Sequence, residues 1–330
     1  MLTLEHEICR WMMIEPFIIA GHRYDYIDAV QVTLQDEQGN SGRGESCGVD
    51  YHGETVNSIR HDIELHRASI ETGISPNLLQ ALMPAGGARN ALDCALWDLQ
   101  CQRSGRSIWQ ELAMGTPAPT PTAYTIGLVD PVHATELAQQ YHQYHTLKIK
   151  ADQSGSLPVL RAVREAREDA RIIIDANQSW SAELLWQLEP ELLELGIALL
   201  EQPLAVNADK VLVDYAGDLK LAADESIQTA AELPGLLGKY HTVNIKLDKT
   251  GGLTGALTLA DQARAMGFDL MVGNMCGSSL AMAPAYVIAQ LCEYVDIDGP
   301  LLQTLDVTPP LQFTAEGVSP SQSNSLWGGI

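Results

Sequence analysis

Two lysines stand two residues apart in the stretch Thr146-Leu-Lys-Ile-Lys150, at the end of a short apolar run. Because residues two apart on a strand point to the same face, Lys148 and Lys150 are expected to aim side by side at one place. Two ammonium groups so close disfavour each other's charge, so the pKa of at least one lysine should fall. A lysine with a depressed pKa accepts a proton near neutral pH, which suits removal of a proton from carbon.

Three acids follow, each at the end of an apolar run. Asp175 ends Ile172-Ile-Ile-Asp, Glu201 ends Leu199-Leu-Glu, and Asp224 ends Leu221-Ala-Ala-Asp. A lone strand-end acid is equally well explained as a helix cap or a salt-bridge partner. Three on consecutive strands are costly if unpaired, and three converging carboxylates suit a hard divalent cation such as Mg²⁺. The pattern therefore predicts a metal site.

A third lysine and a second pair of acids complete the candidate site. Lys246 ends Val243-Asn-Ile-Lys, four runs after Lys150, so the two lysines are expected to face each other. They could handle a proton on opposite faces of one carbon while a metal stabilises an enediolate. Asp296 and Asp298 end the last run and could hold a cationic amine. As an alternative, this pair could cap the turn before Gly299-Pro300.

The spacing of these residues predicts the fold. Eight short apolar runs alternate with helical stretches, and from Lys150 to Lys246 their polar ends recur at the pitch of one βα unit. Eight such units favour a closed β/α barrel over an open sheet, and catalytic side chains gather at the C-terminal rim of such a barrel. The runs are 122–128, 146–150, 171–176, 197–202, 219–224, 242–247, 269–274 and 293–298.

The chain before the first apolar run does not show this regular alternation of apolar runs and helical stretches. Strands are predicted over the first 50 residues, followed by helices at 55–70, 75–83 and 88–102. We expect an α/β protein in which an α+β domain at 1–115 precedes a barrel at 116–305. The proline-rich stretch Gly115-Thr-Pro-Ala-Pro-Thr-Pro121 marks the boundary, and residues 306–330 are expected to pack back on the first domain.

The amino-acid composition limits the classes of binding partner that are expected. The formal net charge of −22 argues against nucleic acid and anionic membrane as partners. The six cysteines form no CxxC pair, and neither a signal-peptide pattern nor an apolar run long enough to cross a bilayer is evident. We expect a cytoplasmic protein with reduced thiols that acts on a small molecule.

Taken together, these residues resemble the enolase superfamily, in its muconate-lactonizing-enzyme subgroup. That subgroup has Lys-x-Lys on the second barrel strand, acids on the third to fifth, and lysine on the sixth. Further stretches are similar to the dipeptide epimerases of this subgroup, and the resemblance extends over nearly the whole chain. They are Ala88-Arg-Asn-Ala-Leu-Asp-Cys-Ala-Leu-Trp-Asp98, Asp175-Ala-Asn-Gln-Ser-Trp180, Leu200-Glu-Gln-Pro-Leu204, Ala223-Asp-Glu-Ser226, Val243-Asn-Ile-Lys-Leu-Asp-Lys-Thr-Gly-Gly-Leu-Thr254 and Asp296-Ile-Asp-Gly-Pro300.

The resemblance implies a modified (β/α)7β barrel with an N-terminal capping domain, and a homo-oligomer. It implies one Mg²⁺ per subunit on Asp175, Glu201 and Asp224, holding the C-terminal carboxylate of a dipeptide. Lys150 and Lys246 would alternate as base and acid at the adjacent α-carbon, with Lys148 tuning Lys150. The substrate-binding residues would be Asp296, Asp298, Thr125 and, in the capping loop, Arg23 or Tyr24.

The resemblance leaves the substrate open. Enzymes of this kind that act on L-Ala-D/L-Glu place an arginine in the capping loop, where this chain offers Arg23 but aligns Tyr24 more naturally. A hydrophobic or basic C-terminal residue is an alternative to glutamate. An N-succinylamino-acid racemase, an o-succinylbenzoate synthase or a cycloisomerase would use the same metal and lysines without needing the amine site. A non-catalytic binding protein is a further alternative.

Overall fold

The N-terminal region begins with a three-stranded antiparallel sheet in the order β1-β2-β3. Its strands are β1 (Leu2–Ile19), β2 (His22–Asp36) and β3 (Ser41–Ser46). Strand β3 pairs only with residues 30–35 of β2, so the tip of the β1–β2 hairpin continues past β3, beyond a register shift between Met12 and Phe17. The Leu128 N–H donates to the Ile18 carbonyl at 2.8 Å, which joins the tip to the barrel region. The structure is a computed structural model and describes residues 1–153, 156–321 and 326–329.

Four helices follow, and the longest packs directly on the sheet. They are α1 (Val56–Glu71), α2 (Pro76–Leu82), α3 (Gly87–Ser104) and α4 (Ile108–Glu111). A Cβ added at Gly42 or Gly44 of β3 would overlap the backbone of α3, so these glycines allow the helix to lie against the strand. The three helices predicted from the sequence are present within one or two residues of the predicted ends.

The barrel consists of eight parallel strands whose neighbours in space are also neighbours in sequence. Every one of the eight predicted runs contains a strand, which confirms the α/β barrel-like prediction. The strands are β4 (Ala123–Ile126), β5 (Thr146–Lys150), β6 (Arg171–Asp175), β7 (Ile197–Glu201), β8 (Leu221–Ala223), β9 (Thr242–Ile245), β10 (Asp269–Val272) and β11 (Tyr294–Val295).

The connections between barrel strands are less regular than the predicted βα pitch. Helices α5 (Pro131–Gln140), α6 (Ser156–Ala166), α7 (Ala182–Glu194), α8 (Leu247–Thr250), α9 (Leu253–Ala265) and α10 (Ser279–Ala289) account for most of them. After β7 and β8 the chain instead forms 3₁₀ segments, Asp209–Asp214 and Ala230–Leu236. The second contains Pro234, which removes a backbone donor and disfavours a continuous α-helix.

The first and last barrel strands meet through side chains rather than through a backbone ladder. The Thr122 hydroxyl accepts a hydrogen bond from the backbone N–H of Ile297 at 3.0 Å. The backbone N–H of Thr125 donates to Asp298 Oδ2 at 2.6 Å. These bonds close the seam between β4 and β11, and they place Asp298 beside the end of the first strand.

The C-terminal segment returns to the N-terminal region. It contains the hairpin β12 (Gln312–Thr314) and β13 (Gly317–Ser319). The Trp327 indole donates to Cys94 O at 2.9 Å, and the Gly328 N–H donates to Asp98 Oδ1 at 2.7 Å, both on α3. These contacts support our proposed assignment of the last residues to the capping unit. Among the described helices, none has the length and apolar character needed to cross a membrane.

Candidate active site

The three strand-end acids lie next to one another at the C-terminal rim of the barrel. Lys150, Asp175 and Glu201 are register partners on β5, β6 and β7, and Asp224 directly follows β8. All three acids are fully buried. Parallel neighbouring strands end at the same edge, so the sequence order of the acids becomes an order in space. The structure thus brings together the three residues predicted to hold a metal.

Lys148 lies between the acids rather than beside Lys150 alone. Its Nζ is 3.0 Å from Asp175 Oδ2, 2.8 Å from Glu201 Oε2 and 2.8 Å from Asp296 Oδ2. Burial lowers the pKa of this lysine, but the charges of the surrounding acids outweigh burial and raise it well above its ordinary value. The fall in pKa expected for at least one lysine of the pair does not occur at Lys148, because the expectation left out the carboxylates on the neighbouring strands.

Lys150 and Lys246 stand on two sides of the acid group, each paired with a different acid. Lys150 Nζ is 2.7 Å from Asp175 Oδ2, and Lys246 Nζ is 2.7 Å from Asp224 Oδ2. Both lysines line one cavity of about 400 Å³ between the barrel rim and the capping region. This volume falls in the range of small-molecule pockets. Two lysines facing one space can deliver and accept a proton there from two directions.

Not every carboxylate oxygen of these acids accepts a hydrogen bond. Glu201 Oε2 is buried and has no hydrogen-bond partner, although Lys148 Nζ approaches it. Burial, and then the charge of Asp175, raises the pKa of Glu201 to about 7. Lysine ammonium groups lie between the carboxylates, and no three His, Cys, Asp or Glu side chains within the described ranges are arranged as closely as ligands around one ion. An unpartnered buried carboxylate oxygen in an acid-rich centre fits a hard cation.

Asp296 and Asp298 lie at the far end of the same centre, beside the barrel seam. Asp296 pairs with Lys148, and the Thr125 hydroxyl donates to Asp296 Oδ1 at 3.3 Å. Burial, and then the charge of Asp296, raises the pKa of Asp298 to about 8. Asn274 Nδ2 donates to the Asp296 carbonyl at 2.7 Å and also to Asp298 Oδ1 at 3.3 Å. The predicted Asp296, Asp298 and Thr125 group is thus assembled, and all three residues line the cavity.

The capping loop supplies Tyr24 but not Arg23. Because alternate residues of β2 face opposite sides, His22 and Tyr24 line the cavity while Arg23 points away. Arg23 is 57% exposed and pairs with Asp25 at 2.9 Å. The Tyr24 hydroxyl donates to Asp50 Oδ2 at 2.5 Å. Of the two capping-loop residues expected at the substrate, Tyr24 therefore lies at the cavity and Arg23 does not.

Several polar residues that belong to the site were not singled out from the sequence. Asn244 donates to Glu201 Oε1 at 2.7 Å, and Asn177 Oδ1 accepts from Lys150 Nζ at 3.2 Å. Asn244 lies two residues before Lys246 on β9, so the same-face rule could have found it. Glu225 also lines the cavity, and its buried Oε2 has no hydrogen-bond partner. Burial, and then the charge of Asp224, raises the pKa of Glu225 to about 8.

The fold and the site define a capped β/α-barrel enzyme class with an acid and lysine centre at the barrel mouth. Residues 6–113 match the model of the mandelate racemase / muconate lactonizing enzyme N-terminal domain. Residues 132–320 match the enolase C-terminal domain-like model. The chain belongs to this family, the enolase superfamily of mandelate racemase and muconate lactonizing enzymes.

Known relatives of the chain are epimerases and racemases. An L-Ala-D/L-Glu epimerase from Escherichia coli (strain K12) is 40% identical over 306 residues, which cover 92% of this chain and 95% of the relative. An N-acetyl-D-glutamate racemase from a Pseudoalteromonas species is 42% identical over 247 residues, covering 75% of this chain and 78% of the relative. These enzymes are isomerases, as the sequence predicted for this chain.

Two solved structures extend the comparison to bound groups. An enolase family member from Agrobacterium tumefaciens with homology to dipeptide epimerases, crystallised with sodium and L-Ala-L-Glu, has a TM-score of 0.95 and 38% identity and covers 99% of both chains. A dipeptide epimerase from Methylococcus capsulatus, complexed with Mg and L-Arg-D-Lys, has a TM-score of 0.85 and 28% identity and covers 92% of both chains.

Proposed function

We propose that this protein is a Mg²⁺-dependent dipeptide epimerase that inverts the α-carbon of the C-terminal residue of a dipeptide. The observation that carries the proposal is the placement of Lys150 and Lys246 on two sides of one cavity, each paired with a different acid. Inversion requires a proton to leave one face of a carbon and return to the other, and two opposed lysines provide both transfers.

In this proposal, Asp175, Glu201 and Asp224 hold the metal ion. Their oxygens are the hard donors that Mg²⁺ prefers, and Glu201 Oε2 accepts no hydrogen bond, although it forms an ion pair with Lys148 Nζ at 2.8 Å. The related proteins with a bound cation and dipeptide support the presence of a cation in such a site. A bound Mg²⁺ would stabilise the negative charge that develops on the substrate carboxylate when the α-proton leaves.

The chain's own residues perform the remaining work. Lys150 Nζ or Lys246 Nζ takes the α-proton, and the other lysine returns a proton to the opposite face. Lys148, held among Asp175, Glu201 and Asp296, contributes a fixed positive charge at the carboxylate end of the cavity. Asp296 and Asp298 receive the free α-ammonium group of the dipeptide, and Thr125 holds both acids in place.

Solvent deuterium incorporation tests the proposal. Pooled L,L-dipeptides are incubated with the protein and Mg²⁺ in D₂O, and the C-terminal α-carbon is examined by mass spectrometry. We expect deuterium at that position in a subset of peptides, and the shared side chains of that subset identify the substrate class. Absence of exchange in every dipeptide, with the folded protein confirmed, would rule out the epimerase assignment.

The side chain of the epimerised residue is expected to face the capping region. That wall presents Tyr24, Tyr26, Tyr51 and His22, and among the described residues lining the cavity there is no arginine. Hydrophobic, basic and acidic C-terminal residues therefore all belong in the pool. L-Ala-L-Glu is included because two of the related proteins act on it or bind it.

An N-acylamino-acid racemase is the second candidate. It is favoured by the similarity to an N-acetyl-D-glutamate racemase and by the engagement of Asp296 with Lys148, which reduces the charge left for a substrate amine. N-acetyl and N-succinyl amino acids are added to the same exchange experiment. Exchange in acylated amino acids without exchange in dipeptides would select this candidate, and the opposite result would select the epimerase.

A further inference from the structure

Lys249 is a buried lysine whose three ammonium hydrogens all have partners inside the protein. Its side chain is 1% exposed. Its Nζ donates to the Asp224 carbonyl at 2.6 Å, to Asp224 Oδ1 at 2.5 Å and to the Asn244 carbonyl at 3.0 Å. An ammonium group has three donors, so none is left for a substrate. Lys249 is also not among the residues that line the cavity.

Asp224 is therefore held between two lysines that bind different oxygens. Lys249, which does not line the cavity, binds Oδ1, while Lys246, which does, binds Oδ2. Lys249 also binds the main-chain carbonyl of the same residue, so both the backbone and the carboxylate of Asp224 are fixed by one side chain. The carboxylate plane then has little freedom, and Oδ2 stays turned towards the cavity.

The position of Lys249 is itself fixed by contacts with the capping region. It lies on the one-turn helix α8, which is buried throughout. Arg89 of α3 donates to the carbonyls of Thr250 and Gly251 at 2.7 and 3.2 Å. The Gly48 N–H donates to Asp248 Oδ1 at 3.0 Å. A Cβ at Gly251 would overlap the Arg89 guanidinium, so the glycine permits this close approach.

We propose that Lys249 is a positioning residue that holds Asp224 so that only Oδ2 is presented to the cation site. The inference rests on the proposed function in one respect, the use of Asp224 as a cation ligand. It adds that the geometry of this ligand is set by a lysine that moves no proton. The cap contacts through Arg89 and Asp248 then extend this control to the junction between the two parts of the molecule.

Calorimetric titration with Mg²⁺ tests the proposal on Lys249→Met, which keeps an unbranched side chain one atom shorter and removes its three donors. We expect Mg²⁺ to bind at least tenfold more weakly than to the unmodified protein, because Asp224 loses its fixed orientation. Lys239→Met is the matched control, since Lys239 Nζ binds Asp209 Oδ1 at 2.9 Å in a partly buried pair outside the cavity. The control is expected to keep the original affinity.

Removing a positive charge near a cation site strengthens cation binding if charge alone matters. Unchanged or tighter Mg²⁺ binding by a folded Lys249→Met protein would therefore overturn the positioning role. If the Met variant does not fold, Lys249→Gln, which retains two donors, is titrated instead. Its Mg²⁺ affinity is expected to lie between that of the unmodified protein and the tenfold weaker affinity expected for Lys249→Met. If the unmodified protein neither binds Mg²⁺ nor catalyses exchange, the proposed function fails together with this inference.

Discussion

Two groups of buried acids, one at the barrel mouth and one at the junction with the capping region, differ in the partners of their oxygens. At the barrel mouth, Asp175, Glu201 and Asp224 face mainly lysine ammonium groups. At the junction between the capping region and the rest of the chain, Asp98 accepts from the backbone N–H groups of Arg43 and Gly328 at 2.9 and 2.7 Å. At the barrel mouth, lysine charges balance the charges of the acids, whereas at the junction a backbone N–H group donates to each oxygen of Asp98.

The same difference explains two similar pKa values. Burial raises the pKa of Asp93, another junction acid, to about 7, and the bonds from Thr254 oppose that rise. Burial also raises the pKa of Glu201 to about 7, but the next contribution, from Asp175, acts in the same direction. A junction acid is thus stabilised by its neighbours, whereas a mouth acid is destabilised by another acid. An acid cluster that opposes its own ionisation is suited to receiving a cation.

The largest effect is expected from the lysines at the mouth. Lys150→Ala and Lys246→Ala should each lose α-proton exchange from one stereoisomer of the substrate by about 10²–10⁴-fold, the usual contribution of a general base. Each variant should keep exchange from the other stereoisomer, and the two losses should be complementary. Exchange in D₂O from separate L,L and L,D substrates measures this.

The control for those variants is Lys220→Ala, because Lys220 forms an exposed pair with Asp269 at 2.8 Å, remote from the cavity lining. It should keep both exchange rates. Full activity of Lys150→Ala with both stereoisomers would show that the role assigned to this lysine is wrong.

Glu201→Gln should separate stability from function. In EDTA, the raised pKa of Glu201 means that the folded state binds the proton more tightly than the unfolded state. Stability therefore falls as pH rises from the ordinary glutamate range towards 7, and the neutral amide removes this slope. At pH 8 the Mg²⁺-free variant should be as stable as the original protein or more stable, by about 1 kcal/mol.

The same substitution should weaken Mg²⁺ binding at least tenfold and abolish exchange, because the amide supplies no negative charge to the cation. Urea unfolding in EDTA and calorimetry with Mg²⁺ provide the two readouts. Lower stability in EDTA at pH 8 would mean that Glu201 behaves like a junction acid, and the contrast between the two regions would be lost at this residue.

Asp98→Asn is the counterpart at the junction. Both Asp98 oxygens accept backbone N–H groups, so one end of the amide must place its own N–H₂ against a donor. We expect destabilisation of about 1–3 kcal/mol, the usual consequence of an unsatisfied buried group. Mg²⁺ affinity should stay within a factor of about two. Asp25→Asn, at an exposed position, controls for the loss of charge. A loss of metal affinity without a loss of stability would contradict the assignment.

Those parts of the molecule that depend on local pattern were predictable from the sequence. The barrel strands and their terminal acids and lysines follow from short apolar runs that end in charge. The same-face rule correctly placed Lys148 and Lys150 together in the cavity wall. The predictions that failed were those that depended on contacts between distant segments of the chain. The raised pKa of Lys148 arises from four acids on or just after four other barrel strands, which the lysine-pair argument did not include.

Strand register decides which capping-loop residue faces the cavity, a choice that the sequence left open. Arg23 and Tyr24 are adjacent, so the choice of which one faces the cavity depends on a shift of one residue. The composition of the capping loop does not fix that shift, but the pairing of Arg23 with Ile18 across the hairpin does. The contact of Lys249 with Asp224 was likewise not predictable, because it depends on how α8 packs against Asp224 and not on the position of Lys249 in the sequence.

The smallest predicted effect concerns Asp36, at the turn between β2 and β3. A hydrogen bond from the Asn40 side chain, together with the Arg103 guanidinium, lowers the pKa of Asp36 to about 2. The folded state therefore favours the ionised form, and this stabilisation is present above the ordinary aspartate pKa and lost as pH falls towards 2. Asp36→Asn should lower the melting temperature at pH 6 and have a smaller effect at pH 3. The sign is opposite to that for Glu201 because donors, and not other acids, surround Asp36. A difference in melting temperature that is equal at both pH values would show that the turn depends on the shape of the side chain rather than on its charge.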